Sequence, residues 1–144
     1  MKYYIATSTE RVPAHNIVRD QLKQFGCEIT YDWTTHGSVR HTTKERLAEV
    51  ALSELAGIAD SDFVLVLLPG GKGTHVELGF SIGSKKKVFI HSEDPNVFEM
   101  GPKVCAFYFS PDVVRFSCPI SKIADHLLLL LQAEDHLLVK NIVR

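Results

Sequence analysis

The chain has 144 residues, of which 45% are apolar and 23% charged, and its net charge is −1 with histidine neutral. That length holds one sizeable core and little more, so a single domain over residues 1–144 is expected. The balanced charge excludes the basic footprint of a nucleic-acid polymer binder but leaves room for a small anionic ligand held by local donors.

Tyr3-Tyr4-Ile5-Ala6 is a short apolar run that reads as a first strand, closed by the polar loop Thr7-Ser8-Thr9-Glu10. Pro13 suits the first turn of a helix. Ile17, Val18, Leu22 and Phe25 follow at helical spacing, and Gly26 is placed to end it. Cys27 to Tyr31 reads as a weak second strand, and Asp32 to His41 as a loop. Thr42-x-x-Glu45 has the form of a capping box opening a helix through Leu47, Val50, Ala51, Leu55 and Ile58.

Phe63 to Leu68 is apolar on both alternating faces, the pattern of a central parallel strand covered by helices on both sides. The Gly-rich turn Pro69 to Gly73 follows, and a helix from Thr74 to about Gly83 is expected after it. Lys87 to His91 reads as a fourth strand and Val104 to Phe109 as a fifth. A last helix begins near Pro119 and carries Ile120, Ile123, Leu127, Leu128 and Leu131. The tail from Gln132 to Arg144 is either an extension of that helix or a segment docking on a partner chain. Strands alternating with helices predict an α/β fold, a five-stranded parallel sheet of flavodoxin-like or Rossmann-like form with helices on both faces.

Cys27, Cys105 and Cys118 form no C-x-x-C, which argues against a disulfide framework and a zinc knuckle. The N-terminus has no signal-peptide pattern, and the longest pure apolar run, Leu127 to Leu131, is far too short for a membrane span. A cytoplasmic protein with no membrane partner is expected.

Ligands of parallel α/β sheets bind at the carboxyl ends of the strands. That rule selects Thr7 to Ala14 and Pro69 to Thr74. In the second, Pro69-Gly-Gly-Lys-Gly-Thr-His-Val-Glu77-Leu-Gly79, the glycines Gly70, Gly71 and Gly73 uncover the backbone at a helix N-terminus, where an anion or developing oxyanion is favoured. Glu77 sits one turn into that helix. Thr74-x-x-Glu77 equally fits a capping box, in which Glu77 only bonds back to Thr74. Neither a Walker loop nor a dinucleotide fingerprint is present. Ser8, Thr9, Arg11 and His15 can hold a 5′-phosphate or be plain loop polars, and Tyr4 can line a sugar pocket or be core. Trp33 and His36 can form a lid over a base, and His75 faces either ligand or solvent. Asp60 and Asp62 punctuate the turn into the central strand.

These segments resemble the nucleoside 2-deoxyribosyltransferase superfamily, which includes the 2′-deoxynucleoside 5′-phosphate N-hydrolases. The resemblance covers roughly residues 1–92 through Tyr3 to Ser8, Glu54 to Asp62, Phe63 to Leu68 and Gly73 to Gly79. It implies that Glu77, the Glu of Glu-Leu-Gly, is the nucleophile. It implies a second catalytic carboxylate at Glu54, where the family usually has Asp. Gly71 departs from the family, standing where transferases have an Asp and the hydrolases a phosphate-binding Ser. The Pro-Gly-Gly-x-Gly-Thr-x-x-Glu turn is similar instead to the Lonely Guy phosphoribohydrolases, which act on the same kind of bond.

The resemblance implies cleavage or transfer of the N-glycosidic bond of a (deoxy)nucleoside or nucleoside 5′-monophosphate, a small-molecule partner, a homodimer or higher homo-oligomer, and no metal or cofactor. Tyr4, Thr7, Ser8, Arg11, His15, Gly70, Gly71, Gly73 and Thr74 are the substrate-binding candidates. The rival expectation is a nucleotide-sensing module of the same fold without catalysis.

Overall fold

The computed structural model describes residues 1–142. Five parallel strands lie in the order β2-β1-β3-β4-β5: β1 (Lys2–Thr7), β2 (Glu28–Ile29), β3 (Phe63–Leu67), β4 (Lys87–His91) and β5 (Val113–Phe116). Helices α1 (Val12–Gln24), α2 (Lys44–Asp60), α3 (Lys72–Gly83) and α4 (Ile123–Ile142) provide the crossovers and the C-terminal cover. The strand order reverses between β1 and β3, so the switch-point crevice opens at the carboxyl ends of those two strands.

Alternation along the strands divides the core into two layers. Tyr3, Ile5, Phe63, Leu65, Leu67 and Phe89 point to one face, where Val18 and Leu22 of α1 and Ile123 and Leu127 of α4 cover them. Tyr4, Ala6, Val64, Val66, Val88 and Ile90 point to the other, beneath Ile58 of α2 and Leu78 of α3. Every residue of β3 is buried. Each such aliphatic or aromatic side chain contributes about 1.5–3 kcal/mol, so β3 and its neighbours form the rigid base on which the loops stand. At the opposite end of the strands, Asp62 Oδ2 accepts from the Lys2 N–H at 2.7 Å, and Asp60 pairs with the Lys2 ammonium at 3.3 Å. The two acids thus fix the start of β1 against the start of β3.

The fifth strand is not where the apolar run suggests. Ala106–Phe109 winds as a short 3-10 helix, and the edge strand is Val113–Phe116. Only Tyr108 of that aromatic run is buried, while Phe107 stays 62% exposed. One buried position per turn is a helical pattern, not a sheet pattern. The second strand shrinks to Glu28–Ile29, an edge pairing only with β1.

Helix boundaries also shift. Thr43, not Thr42, caps α2 by accepting from the Arg46 N–H at 3.1 Å. Helix α3 starts at Lys72, two residues before the expected Thr74, and α4 follows a 3-10 turn at Ile120–Lys122. Gly26 ends α1 with φ of +79°, as its position predicts. The tail continues α4 as far as Ile142; the last part of the Gln132–Arg144 expectation lies outside the described residues. No helix among the described residues is long and apolar enough to cross a membrane.

Candidate active site

The Gly-rich turn is shaped by close contact. A Cβ on Gly70 would lie 2.5 Å from Thr74 Cγ2 and 2.7 Å from its Cβ, so only glycine lets the turn fold down on the helix start. The buried Thr74 hydroxyl accepts from the Gly71 N–H at 3.1 Å and closes the first turn of α3. Thr74 is therefore the third residue of the helix rather than its cap, and the box that would tie Glu77 back to Thr74 does not form. A Cβ on Gly71 would meet nothing within 4 Å, and one on Gly73 would stand 3.9 Å from Glu77 Oε1. Gly73 thus leaves the backbone bare beside that carboxylate, and Gly71 leaves it bare toward open space.

Glu77 is 8% exposed, and its Oε2 has no hydrogen-bond partner among the described residues. Burial, then the nearby Glu54 carboxylate, push its pKa up to about 8, with the Tyr4 hydroxyl opposing the rise. Tyr4 is fully buried, and its phenol is held far above its ordinary value by burial first and then by the charges of Glu77 and Glu54. Glu54, on α2, is itself raised by burial, with His36 pulling the other way. His36 Nε2 stands 3.9 Å from Glu54 Oε1. One phenol, two carboxyls and one imidazole thus converge on the α2/α3 side of the sheet. Such mutual perturbation is a mark of functional sites.

Two hollows flank this group. The smaller, about 370 Å³, has Thr9, Val12, Trp33, His36 and Arg40 among its walls. The larger, about 620 Å³, lies over the ends of β3 and β4 and is walled by residues including Arg11, Gly70, His75, Glu93, Lys103 and Tyr108. Neither Glu77 nor Glu54 is among the residues that line them.

The other predicted residues fall into place unevenly. Arg11 donates to the Leu68 carbonyl across the mouth of the switch point, and burial lowers its pKa. Thr7 spends its hydroxyl on the Leu67 carbonyl at 2.7 Å, stitching β1 to β3. Ser8 caps the short turn Thr9–Arg11. His15 is fully buried, edge-on to Trp33 at 5.0 Å, with Nδ1 3.2 Å from Asn16 Oδ1 and Nε2 3.9 Å from Asp32. Burial lowers its pKa, so it packs as a neutral ring facing neither hollow, the reverse of a phosphate ligand. Trp33 is likewise not a free lid: its indole N–H donates to the Ile5 carbonyl at 2.9 Å, although its ring still forms part of the smaller wall.

Two features escaped the sequence reading. His75 bridges Gly71 O, 2.8 Å from Nδ1, and the Tyr108 hydroxyl, 2.7 Å from Nε2. This ties the Gly-rich turn to the segment misread as a strand. The loop after β4, with Ser92, Glu93 and Asp94, walls the larger hollow. The strand-end rule applied to β4 would have found it.

Fold and site together define a flavodoxin-like α/β protein with a buried carboxylate, Glu77, and a half-buried one, Glu54, beside its switch point. Solved structures share the architecture. The CMP N-glycosidase BcmB of Clostridium botulinum aligns with a TM-score of 0.59 at 14% identity, over 90% of this chain and 99% of that one. A 2-deoxyribosyltransferase from Bacillus psychrosaccharolyticus aligns with a TM-score of 0.65 at 17% identity, over 86% and 90%. At these identities the likeness is one of fold. No curated protein sequence matches the chain. The chain belongs to the nucleoside 2-deoxyribosyltransferase family, whose pattern it matches over residues 4–141. Membership associates it with cleavage or transfer of the N-glycosidic bond of nucleosides or nucleotides.

Proposed function

We propose that this chain is an enzyme that releases or exchanges the base of a (deoxy)nucleoside or nucleoside 5′-monophosphate, with Glu77 as nucleophile and Glu54 as the acid that protonates the departing base. The observation that carries this reading is the Glu77 carboxylate itself: buried on the second turn of α3, without a partner for Oε2 among the described residues, and beside a second acid. A structural carboxylate so buried is normally satisfied by donors. This one is satisfied by a substrate.

The sugar approaches over Gly71 and Gly73, where no side chain stands in the way. As the C1′–N bond breaks, its electron pair goes to the base nitrogen, which takes the Glu54 proton. Glu77 captures the positive C1′ in a covalent ester. Water or a second base then attacks C1′ and restores the Glu77 carboxylate. When water attacks, its proton returns to Glu54. The carboxyl of Glu77 is neutral near pH 7 in the empty site, so it gives its proton to solvent before it attacks C1′. The positive charge arriving at C1′ favours the ionised form, and a proton taken up from solvent after product leaves restores the empty site. Arg11, with Lys103 across the larger hollow, supports a 5′-phosphate on the substrate; the buried His15 does not.

The test is a panel of nucleosides and monophosphates incubated with the protein, with free base followed by chromatography. Base release, or exchange when a second base is supplied, supports the enzyme. Tight binding of a nucleotide with no release from any member would support a sensing module instead.

A further inference from the structure

The loop between β2 and α2 is built as a mount for one side chain. Asp32 accepts from the Thr34 N–H at 3.0 Å and pairs with Arg19 at 2.7 Å, and Trp33 is pinned to Ile5. Gly37, with φ of +80°, turns the chain immediately after His36. The His36 ring stacks on Tyr31 at 6.1 Å with 27° between planes, and its side chain is only 10% exposed. Nδ1 lies 2.9 Å from the Gly37 carbonyl, a contact only a protonated Nδ1 can make as a hydrogen bond. That fixes the tautomer and leaves Nε2 turned toward Glu54. Nε2 is buried and has no hydrogen-bond partner among the described residues. A closing of roughly 1 Å would turn its 3.9 Å approach to Glu54 Oε1 into a hydrogen bond. The ring also walls the smaller hollow, which it shares with Arg40, and the Glu54 charge is felt by both Tyr4 and Glu77.

We propose that His36 is a positioning residue that shares one proton with Glu54, holding it between Nε2 and Oε1 until the leaving base takes it. This rests on the reading of Glu54 as the acid. The shared proton leaves through Glu54 to the base nitrogen as the C1′–N bond breaks. The water that later attacks C1′ returns a proton to the same pair, so the cycle balances without another reactant. His36 touches neither sugar nor base in this step; it decides how readily Glu54 gives up its proton.

The experiment compares the best substrate of the base-release panel with analogues whose base carries ring halogens and so departs with less need of a proton. His36→Gln is expected to slow the parent substrate by about tenfold to a hundredfold, within the range general acids contribute, and the most activated analogue by less than threefold. Glu54→Gln should give the same pattern, and the double variant should be no slower than the slower single one. His36→Asn, whose amide can keep the Gly37 bond, serves if the Gln variant does not fold. Equal slowing of parent and activated substrates would reduce His36 to a packing role and overturn the proposal, as would no slowing at all. Undiminished turnover by Glu77→Ala would instead overturn the underlying reading of the site, whatever His36 does.

Discussion

The Tyr4 phenol and the Glu77 carboxyl are buried side by side, and each holds the other's proton more tightly or more loosely than water would. The hydroxyl stabilises the ionised carboxylate, and the carboxylate's charge resists loss of the phenol proton. Tyr4→Phe removes a hydroxyl with no other partner, so the fold should survive. The Glu77 pKa should rise further, because the group that lowers it is gone. The acid limb of the pH–kcat profile is expected to move to higher pH, with a loss of roughly tenfold at neutral pH for a one-unit shift. Profiles of both proteins over pH 5–9 check this.

The same carboxyl makes stability depend on pH. Its folded pKa, about 8, lies above the ordinary value of 4.5, so the folded state binds the proton more tightly than the unfolded chain. The associated stability is fully present below 4.5 and is lost as pH rises through 8. Glu77→Gln cannot ionise and escapes that loss. It should melt with the wild type near pH 4.5 and above it at pH 8–9, by an amount corresponding to a few kcal/mol. Thermal melts at the two pH values measure the difference.

Gly57 of α2 is where the helix rests on the site. A Cβ there would lie 2.7 Å from Tyr31 Cβ and 3.2 Å from the Tyr4 ring. Neither neighbour is the free end of a flexible chain. Gly57→Ala is expected to cost about 1–3 kcal/mol by overpacking, despite alanine's better helix propensity. It should also depress activity by displacing Tyr4. Urea unfolding and a base-release assay on the same sample separate the two effects.

The turn glycines divide sharply. Gly70→Ala drives a methyl into Thr74 and should cost about 1–3 kcal/mol. Gly71 has φ of −93° and open space around it, so Gly71→Ser or Gly71→Asp should shift stability by no more than about 0.5 kcal/mol. Ser and Asp are the side chains that the family resemblance implies at this position, so any change should appear in substrate preference on the nucleoside panel rather than in the melting curve.

Much of this was legible from the chain because it rests on local rules. Phe63–Leu67 is apolar on both faces, which only a covered central strand requires, and the Gly-rich turn into α3 marks the helix start that carries Glu77. The aromatic run Ala106–Phe109 misled because a short apolar segment has no period long enough to separate strand from helical turn. The true edge strand Val113–Phe116 is half-buried and carries Arg115, so its pattern is weak. His15 misled because sequence places it near the ligand edge, while the phase of α1 turns it inward onto Trp33. The His36–Glu54 pairing was invisible because an irregular loop has no period. Its direction is set by the anchors Asp32 and Trp33, whose partners Arg19 and Ile5 are remote in sequence.

The central claim is that Glu77 bonds to the sugar. A 2-fluoro analogue of the best substrate slows release of the captured sugar, so a denaturing quench followed by peptide mass spectrometry shows where it resides. The account predicts the mass of the sugar on the peptide containing Glu77, and no adduct and no base release from Glu77→Ala. A sugar adduct on another residue, or base release by Glu77→Ala at the wild-type rate, would contradict it.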